Sequence, residues 1–197
     1  MATRLEAKGA DTRRRILDAA TAEFAAYGIA GARVDRIVAV AQTNKSQMYS
    51  YFGNKDQLFD VIFNLHVDRI VNAVPVDGAD LPGYAIRLYD AYLEHPELVR
   101  LVTWARLERN PTGDLFGDGR DHDAGKLDNI ERAQRAGLIT AGLAPVDVLA
   151  LVTAMSMTWS PASALIAAGP DDTEEVHVRR RGALAEAVRR AFEPVHP

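Results

Sequence analysis

A run of polar and hydroxyl-bearing side chains interrupts an otherwise apolar segment around position 45 of the 197-residue chain. Lysine donates hydrogen bonds to guanine and glutamine pairs with adenine, so Lys45 and Gln47 are of the types that read base edges in a DNA groove. Arginine, lysine and tyrosine side chains bind phosphate oxygens, which adds affinity without sequence information. The sequence therefore predicts two classes of DNA contact. The candidates for base contacts are Lys45, Ser46, Gln47, Tyr49 and Ser50, and the candidates for phosphate contacts are Arg33, Arg36, Tyr51 and Lys55.

Two short helices joined by a tight turn are predicted to position these side chains. Ile37 and Ala41 are spaced to lie on one apolar face of the first helix. Asn44 is a favourable N-cap for the second helix, and Gln47 three residues later completes a pattern similar to a capping box. This is the helix-turn-helix layout, in which the second helix enters the major groove. The inward face of the second helix is predicted to consist of Met48, Tyr49 and Phe52.

This stretch resembles the TetR family of bacterial transcriptional regulators. The family pattern has a tyrosine, any residue, a tyrosine or histidine and a phenylalanine, followed at fixed spacing by a lysine and a leucine. The matching residues here are Tyr49, Ser50, Tyr51, Phe52, Lys55 and Leu58, with Ile37 and Ala41 in register upstream. The open alternative is an ordinary helical hairpin whose aromatic residues are only part of a core.

Three departures from the family pattern concern the geometry of the turn and of the helix starts. Gln42 replaces the usual turn glycine, so a residue with a Cβ is predicted to adopt a left-handed conformation at a cost of about 1 kcal/mol. Ser46 replaces another common glycine. Ala32-Arg33 stands where a capping serine or threonine usually precedes the first helix of the motif.

Composition and charge agree with a DNA-binding end on a larger body. The chain has no cysteine, which excludes disulfides and thiolate metal sites and suits a reducing cytoplasm. The net charge of −4 alone argues against nucleic acid, but residues 1–55 hold nine Lys/Arg against five Asp/Glu. A basic N-terminal quarter on an acidic remainder predicts that only one end faces DNA. The N-terminus carries no apolar signal-peptide region.

The whole chain is predicted to be all-α, with about nine helices and no strand-like alternation. Residues Met1 to Ala10 are expected to be a mobile arm, and Asp11 or Thr12 is expected to cap a first helix that ends at Gly28. Val148 to Ala168 contains 21 residues without a charge and is predicted to be one apolar helix. The resemblance implies a helix-turn-helix DNA-binding domain over residues 1–54 and a ligand-binding and dimerisation domain over residues 55–197.

Neither a membrane span nor a metal site is expected. The uncharged run is long enough to span a bilayer, but its Ala, Ser and Thr content and Pro161 favour a helix buried between neighbours. The acidic stretch between residues 112 and 123 has neither EF-hand nor zinc spacing, so a solvated loop is expected. Its potential metal ligands are Asp118, Asp121, His122 and Asp123.

The resemblance implies a dimeric regulator, most often a repressor, that binds double-stranded DNA and is released by a small effector. The effector is expected to be apolar, the dimer is expected to form through the last two helices, and no cofactor, metal or membrane is expected. The alternative is a DNA-binding regulator that is controlled by a protein partner or has no small ligand. An enzyme is not expected, because no catalytic motif occurs. Candidate ligand contacts are His66, Tyr89, Tyr92, Trp104, Met155 and Trp159.

Overall fold

The computed structural model describes residues 4–110, 112, 113, 115 and 124–194, apart from the side chains of residues 4–7, 70–72 and 124. Within these residues the chain forms nine α-helices and no strand, which confirms the all-α prediction. The helices are α1 (Arg4–Gly31), α2 (Val34–Val40), α3 (Lys45–Phe52), α4 (Lys55–Ala73), α5 (Leu81–Glu94), α6 (Pro96–Glu108), α7 (Ala124–Arg135), α8 (Pro145–Ser156) and α9 (Glu174–Phe192).

Helix α1 begins earlier than the sequence suggested. It starts at Arg4, so most of the expected mobile arm is helical and neither Asp11 nor Thr12 is an N-cap. The Thr12 hydroxyl instead donates to the Lys8 carbonyl one turn earlier, a bond that a buried threonine can make inside a helix. Gly28 interrupts the helical backbone with a φ of 73°, as predicted for the end of this helix, although the assigned helix continues to Gly31.

The turn between α2 and α3 contains Gln42 in the left-handed conformation that was predicted for it. Gln42 has a φ of 50° and is the one residue other than glycine with a positive φ in the described part of the chain. The Thr43 N–H donates to the Val38 carbonyl at 3.0 Å, and the Gln42 N–H donates to the Ala39 carbonyl at 3.2 Å. This pair of bonds is a Schellman motif, in which the left-handed residue is usually glycine.

Helix α8 is shorter than the predicted helix over Val148–Ala168, because it ends at Ser156. Proline lacks an N–H donor and disfavours helical geometry in the residue before it, so Pro161 opposes continuation of the helix. The chain instead turns, with the Thr158 hydroxyl donating to the Met155 carbonyl and the Ser160 N–H donating to the Met157 carbonyl. The prediction of a single apolar helix was therefore wrong over its second half.

The chain divides into two compact units. The first comprises Met1–Arg69 and Glu97–Leu115, and in it α1 packs against α2 and α3. The second comprises Ile70–Pro96 and Phe116–Pro197, and in it α5 packs against α8 and α9 while α7 packs against α8. The functional boundary predicted between residues 54 and 55 stays a prediction. None of the described helices is both long enough and apolar enough to cross a bilayer.

Candidate nucleic-acid interface and ligand cavity

Helix α3 buries two side chains and exposes the rest. Met48 is fully buried and Phe52 nearly so, whereas Tyr49 is 44% exposed. Tyr49 therefore does not belong to the inward face, and that part of the sequence prediction was wrong. Every candidate base-contact residue lies on the exposed side of this helix. The exposed residues are Lys45, Ser46, Gln47, Tyr49, Ser50 and Tyr51.

The N-terminus of α3 is fixed by hydrogen bonds that differ partly from a capping box. The Gln47 N–H donates to the Asn44 side chain at 2.9 Å, as predicted for an N-cap. The Gln47 amide oxygen does not return this bond but accepts from the Thr43 hydroxyl. Its NH₂ group has no hydrogen bond to another described residue and remains available to a base edge.

Lys45 has an acidic neighbour that sequence reasoning missed. Its ammonium group lies 2.7 Å from a carboxylate oxygen of Asp35 in the first turn of α2. Both side chains are more than half exposed. The hydrogen bond and charge of Asp35 raise the pKa of Lys45, so the ammonium stays protonated. DNA would have to replace Asp35 as the partner of Lys45.

The two candidate arginines are arranged around one carboxylate. Glu23 is 8% exposed and accepts the Arg33 N–H and the Arg36 Nε–H, each at 2.8 Å. The Arg36 guanidinium also donates to the Gly31 carbonyl and lies 4.2 Å from the centre of the Tyr27 ring. Burial alone would raise the pKa of Glu23. The bonds from Arg36 and the Arg33 N–H together have the larger effect, so the pKa is lowered from its ordinary value. Arg36 is thus largely occupied within the protein, whereas the Arg33 side chain is exposed.

The start of α4 is held by two separate sets of contacts. Asn54 and Gln57 form a reciprocal capping box, with bonds of 2.8 and 3.1 Å. The Lys55 ammonium donates to the Ala30 and Ala32 carbonyls at 3.3 and 3.2 Å. It therefore neutralises the carbonyl end of α1, where a cation is favoured. A phosphate contact by Lys55 stays a prediction and would compete with these carbonyls.

The second unit contains a partly open cavity of about 410 Å³. Its walls come from α5, the end of α8, the segment between α8 and α9, and the first turns of α9. Three aromatic residues line it, and the rings of Tyr89 and Trp159 meet edge to face with centres 5.9 Å apart. A volume of this size is in the range of small-molecule sites. The aromatic lining residues are Tyr89, Tyr92 and Trp159.

Polar groups beside this cavity bond mainly to one another. The Tyr89 hydroxyl lies 2.7 Å from Nδ1 of His177. Arg180 donates to a carboxylate oxygen of Asp172 at 2.7 Å and lies over the Trp159 ring. Burial alone would lower the pKa of Arg180. Bonds with Asp172 and Tyr89 together have the larger effect, so the pKa is raised from its ordinary value. The described groups beside the cavity therefore leave few unpaired charges.

Comparison with known proteins identifies the family. The family model for bacterial regulatory proteins of the tetR family matches residues 16–62, and the model for the tetracyclin repressor-like C-terminal domain matches residues 80–190. The chain is 40% identical over 151 residues to the HTH-type transcriptional repressor SCO4008 of Streptomyces coelicolor. This match covers 76% of the chain and 78% of that protein. The protein belongs to the TetR family.

Solved structures of TetR-family and related proteins have the same fold. The transcriptional regulator SCO4942 of Streptomyces coelicolor has a TM-score of 0.77 and 42% identity, covering 93% of this chain and 99% of its own. A γ-butyrolactone receptor described as ArpA-like has a TM-score of 0.62 at 18% identity, covering 95% of this chain and 91% of its own. The second likeness concerns the fold alone. Both agree with an N-terminal helix-turn-helix unit followed by a larger helical part.

Family membership confirms the prediction of a DNA-binding transcriptional regulator and the prediction that the chain is not an enzyme. The helix-turn-helix reading is likewise confirmed, and the alternative of an ordinary helical hairpin is wrong. Within the described residues no cluster of side chains suited to a metal ion occurs. Asp118, Asp121, His122 and Asp123 lie outside the described residues.

The predicted ligand contacts of this TetR-family chain fall into two groups. Three of them line the cavity and three do not. In the first unit His66 lies 3.4 Å from the Thr21 hydroxyl, and the Trp104 indole N–H donates to the Ala25 carbonyl. Met155 lies in α8 but does not border the cavity. Ligand contact by these three stays a prediction.

Sequence reasoning missed His177, Asp172 and Arg180 as neighbours of the aromatic residues. His177 and Tyr89 are 88 positions apart, so no local pattern connects them. The Arg179-Arg180-Arg181 run looks like a solvated basic face, yet Arg180 is only 6% exposed. A buried arginine in the middle of a basic run has no signature in the sequence.

Proposed function

We propose that this protein is a transcriptional repressor that binds a palindromic operator as a homodimer and is released by a small, mostly apolar effector. The observation that carries the DNA-binding part is the exposed polar face of α3. There the Asn44 side chain caps the helix, and the NH₂ group of Gln47 has no hydrogen bond to another described residue. The relative SCO4008 is named a repressor, which supports repression rather than activation. The aromatic cavity supports a small effector over control by a protein partner.

Base contacts are assigned to the exposed side of α3 and phosphate contacts to its surroundings. Gln47 and Lys45 can reach a base edge, and each good bidentate contact discriminates by about 1–3 kcal/mol. Arg33, Tyr51 and Lys55 supply phosphate contacts in this proposal, and these weaken with added salt. Arg36 acts mainly by holding the start of α2 through Glu23.

The test begins with operator sequences selected from random duplexes, followed by titrations on matched and mismatched sites at several salt concentrations. Gln47→Ala should change the preference at one or two base pairs and leave the salt dependence unchanged. Lys55→Ala should weaken binding to all sequences alike and also lower thermal stability, because Ala30 and Ala32 lose a partner. Arg135→Ala removes a basic side chain that is 63% exposed on α7, and as the control it should change neither operator binding nor thermal stability. An equal loss on every site for Gln47→Ala would refute the base contact.

Dimerisation through the last two helices is supported by the apolar and small residues that they expose. Leu151 in α8 is 44% exposed and Val178 in α9 is 58% exposed. Gly182 in α9 is exposed, and an added Cβ there would meet no atom within 4 Å outside its own helix, which permits close approach of another helix. A two-fold dimer would set its recognition helices about 34–36 Å apart, one turn of duplex.

Sedimentation equilibrium at micromolar concentration tests the dimer. The wild-type protein should sediment as a dimer, and Leu151→Glu should shift it toward monomer by placing a charge in the interface. Leu138→Glu is the control, because Leu138 is 53% exposed and lies after α7, outside the two helices. A monomeric wild-type protein that still binds its operator with full affinity would contradict the proposal.

A further inference from the structure

The cavity in the second unit permits an inference about the chemical class of the effector, and this inference rests on the proposed function. Three features of the lining decide the class: the ring surfaces, the charges and the polar groups that lack a partner. We propose that the cavity binds an uncharged, flat ring compound that carries a hydrogen-bond acceptor such as a carbonyl oxygen, and that Tyr92 donates to that acceptor.

The lining favours a ring compound because aromatic side chains occupy several walls. Tyr89 and Trp159 meet at an interplanar angle of 85°, and Tyr92 lies one helical turn from Tyr89 on α5. Aromatic groups prefer edge-to-face or offset contacts, which a flat ligand can make with the half-buried rings of Trp159 and Tyr92. Pro96, Pro161 and Pro170 add rigid apolar surface.

The charges beside the cavity favour an uncharged ligand. Asp172 is the single carboxylate among the described lining residues, and it accepts bonds from Arg180 at 2.7 Å and from the Gly169 N–H at 2.9 Å. Those bonds lower the pKa of Asp172, the Gly169 bond being the largest cause, so the carboxylate stays ionised and paired with Arg180. An ionised ligand would lose its hydration and find no unpaired opposite charge on a carboxylate or guanidinium here.

The hydroxyl groups favour a ligand that accepts a hydrogen bond. The Ser156 hydroxyl already donates to the Val152 carbonyl at 2.8 Å, and the Tyr89 hydroxyl lies within bonding distance of His177. The Tyr92 hydroxyl has no hydrogen-bond partner within the part of the chain that the structure describes. Burial, with a smaller contribution from Tyr84, raises the pKa of Tyr92 above its ordinary value, which itself lies well above neutral pH, and the phenol therefore carries its proton. The hydroxyl of this half-buried side chain is thus a free donor on the lining of the cavity, and a carbonyl oxygen on the ligand would accept its hydrogen bond.

The test uses Prodan, a fluorescent neutral naphthyl ketone, with the full-length protein in the absence of DNA. Binding should shift the Prodan emission to the blue. Three compounds with the same ring system then compete for the site: methyl naphthyl ketone, ethylnaphthalene and naphthoate. The ketone should compete roughly threefold to tenfold better than the hydrocarbon, the ratio expected for one hydrogen bond. Naphthoate should compete least well.

Three variants connect this ranking to the proposed residues. Tyr92→Phe should abolish the advantage of the ketone over ethylnaphthalene while leaving the affinity for ethylnaphthalene unchanged. Trp159→Ala should weaken all three compounds. Tyr27→Phe is the matched control, because it also removes a tyrosine hydroxyl but lies in the first unit beside Arg36. Circular dichroism melts confirm that each variant is folded.

The outcomes separate this inference from the proposed function. Tighter binding of naphthoate than of the ketone, equal binding of ketone and hydrocarbon, or no binding of any probe would each overturn the assignment of the effector class. Operator binding is measured separately with and without Prodan. If Prodan binds as expected but leaves operator affinity unchanged, release by an effector is refuted at this cavity while its ligand class stands.

Discussion

Replacement of Gln42 by glycine is expected to stabilise the protein, although a substitution by glycine usually lowers protein stability. Gln42 has a φ of 50° at the left-handed position of the Schellman motif after α2. A residue with a Cβ pays about 1–2 kcal/mol for that conformation. Glycine removes this cost but adds about 0.5–1 kcal/mol of chain entropy in the unfolded state. The net expectation for Gln42→Gly is a gain of about 0.5–1 kcal/mol.

The chain contains its own control for this calculation. After α7 the Leu138 N–H donates to the Ala133 carbonyl and the Gly137 N–H donates to the Gln134 carbonyl, which is the same motif. Gly137 occupies the left-handed position with a φ of 70°, and an added Cβ would meet no atom within 4 Å. Gly137→Ala should therefore lose about 0.5–1 kcal/mol for conformational reasons alone.

Thermal and urea unfolding of Gln42→Gly and Gly137→Ala measure the expected gain and the expected loss in the free energy of unfolding. A change of 1 kcal/mol corresponds to about 2–4 °C in Tm for a chain of this size. Gln42→Ala serves as a second control and should remain near wild type, because it keeps a Cβ. Operator affinity of Gln42→Gly should remain within about twofold of wild type, since the hydrogen bonds of the turn are unchanged. A destabilised Gln42→Gly together with an unaffected Gly137→Ala would refute the reasoning.

Three further outcomes are expected. Asp35→Asn should tighten operator binding roughly twofold to fivefold, because Lys45 no longer has to leave a carboxylate before it contacts DNA. In the same titration, a double variant that also carries Lys45→Ala should show no such gain in affinity. The folded pKa of Glu23 is below its ordinary value of 4.5, so Glu23 contributes stability that is complete above that pH and is lost as the pH falls through the folded pKa. Urea unfolding should accordingly give a deficit for Glu23→Gln at pH 7 that shrinks at about pH 4 and below, and a deficit independent of pH would contradict the ion-pair explanation. Trp104→Ala should lower Tm, because its indole contacts Ala25, yet leave Prodan affinity unchanged, whereas a clear loss of Prodan binding would move the ligand site toward Trp104.

The features that the sequence determined are those that depend on neighbours within one or two turns of helix. Apolar spacing predicted the helices, Asn44 predicted the start of α3, and the motif through Tyr51, Phe52 and Lys55 indicated the family. The left-handed conformation of Gln42 was also predictable, because Gln42 stands where the resembled family usually has the glycine of the turn. Each of these is decided by backbone geometry and hydrogen bonds between residues at most five positions apart.

The partners of the charged and aromatic side chains were decided only by the tertiary structure. Arg36 and Lys55 looked like free phosphate contacts, but Glu23 and the carbonyl end of α1 reach them from 13 and 23 to 25 positions away. Tyr92 and Trp159 became members of one cavity, and Trp104 did not, because helix packing brings together residues that are distant in the chain. The energy of these contacts comes from burial and pairing across elements, which no local periodicity records. The residue types in the sequence therefore identified which side chains could contact DNA or a ligand. The packing of the helices decided which of these side chains remain unpaired.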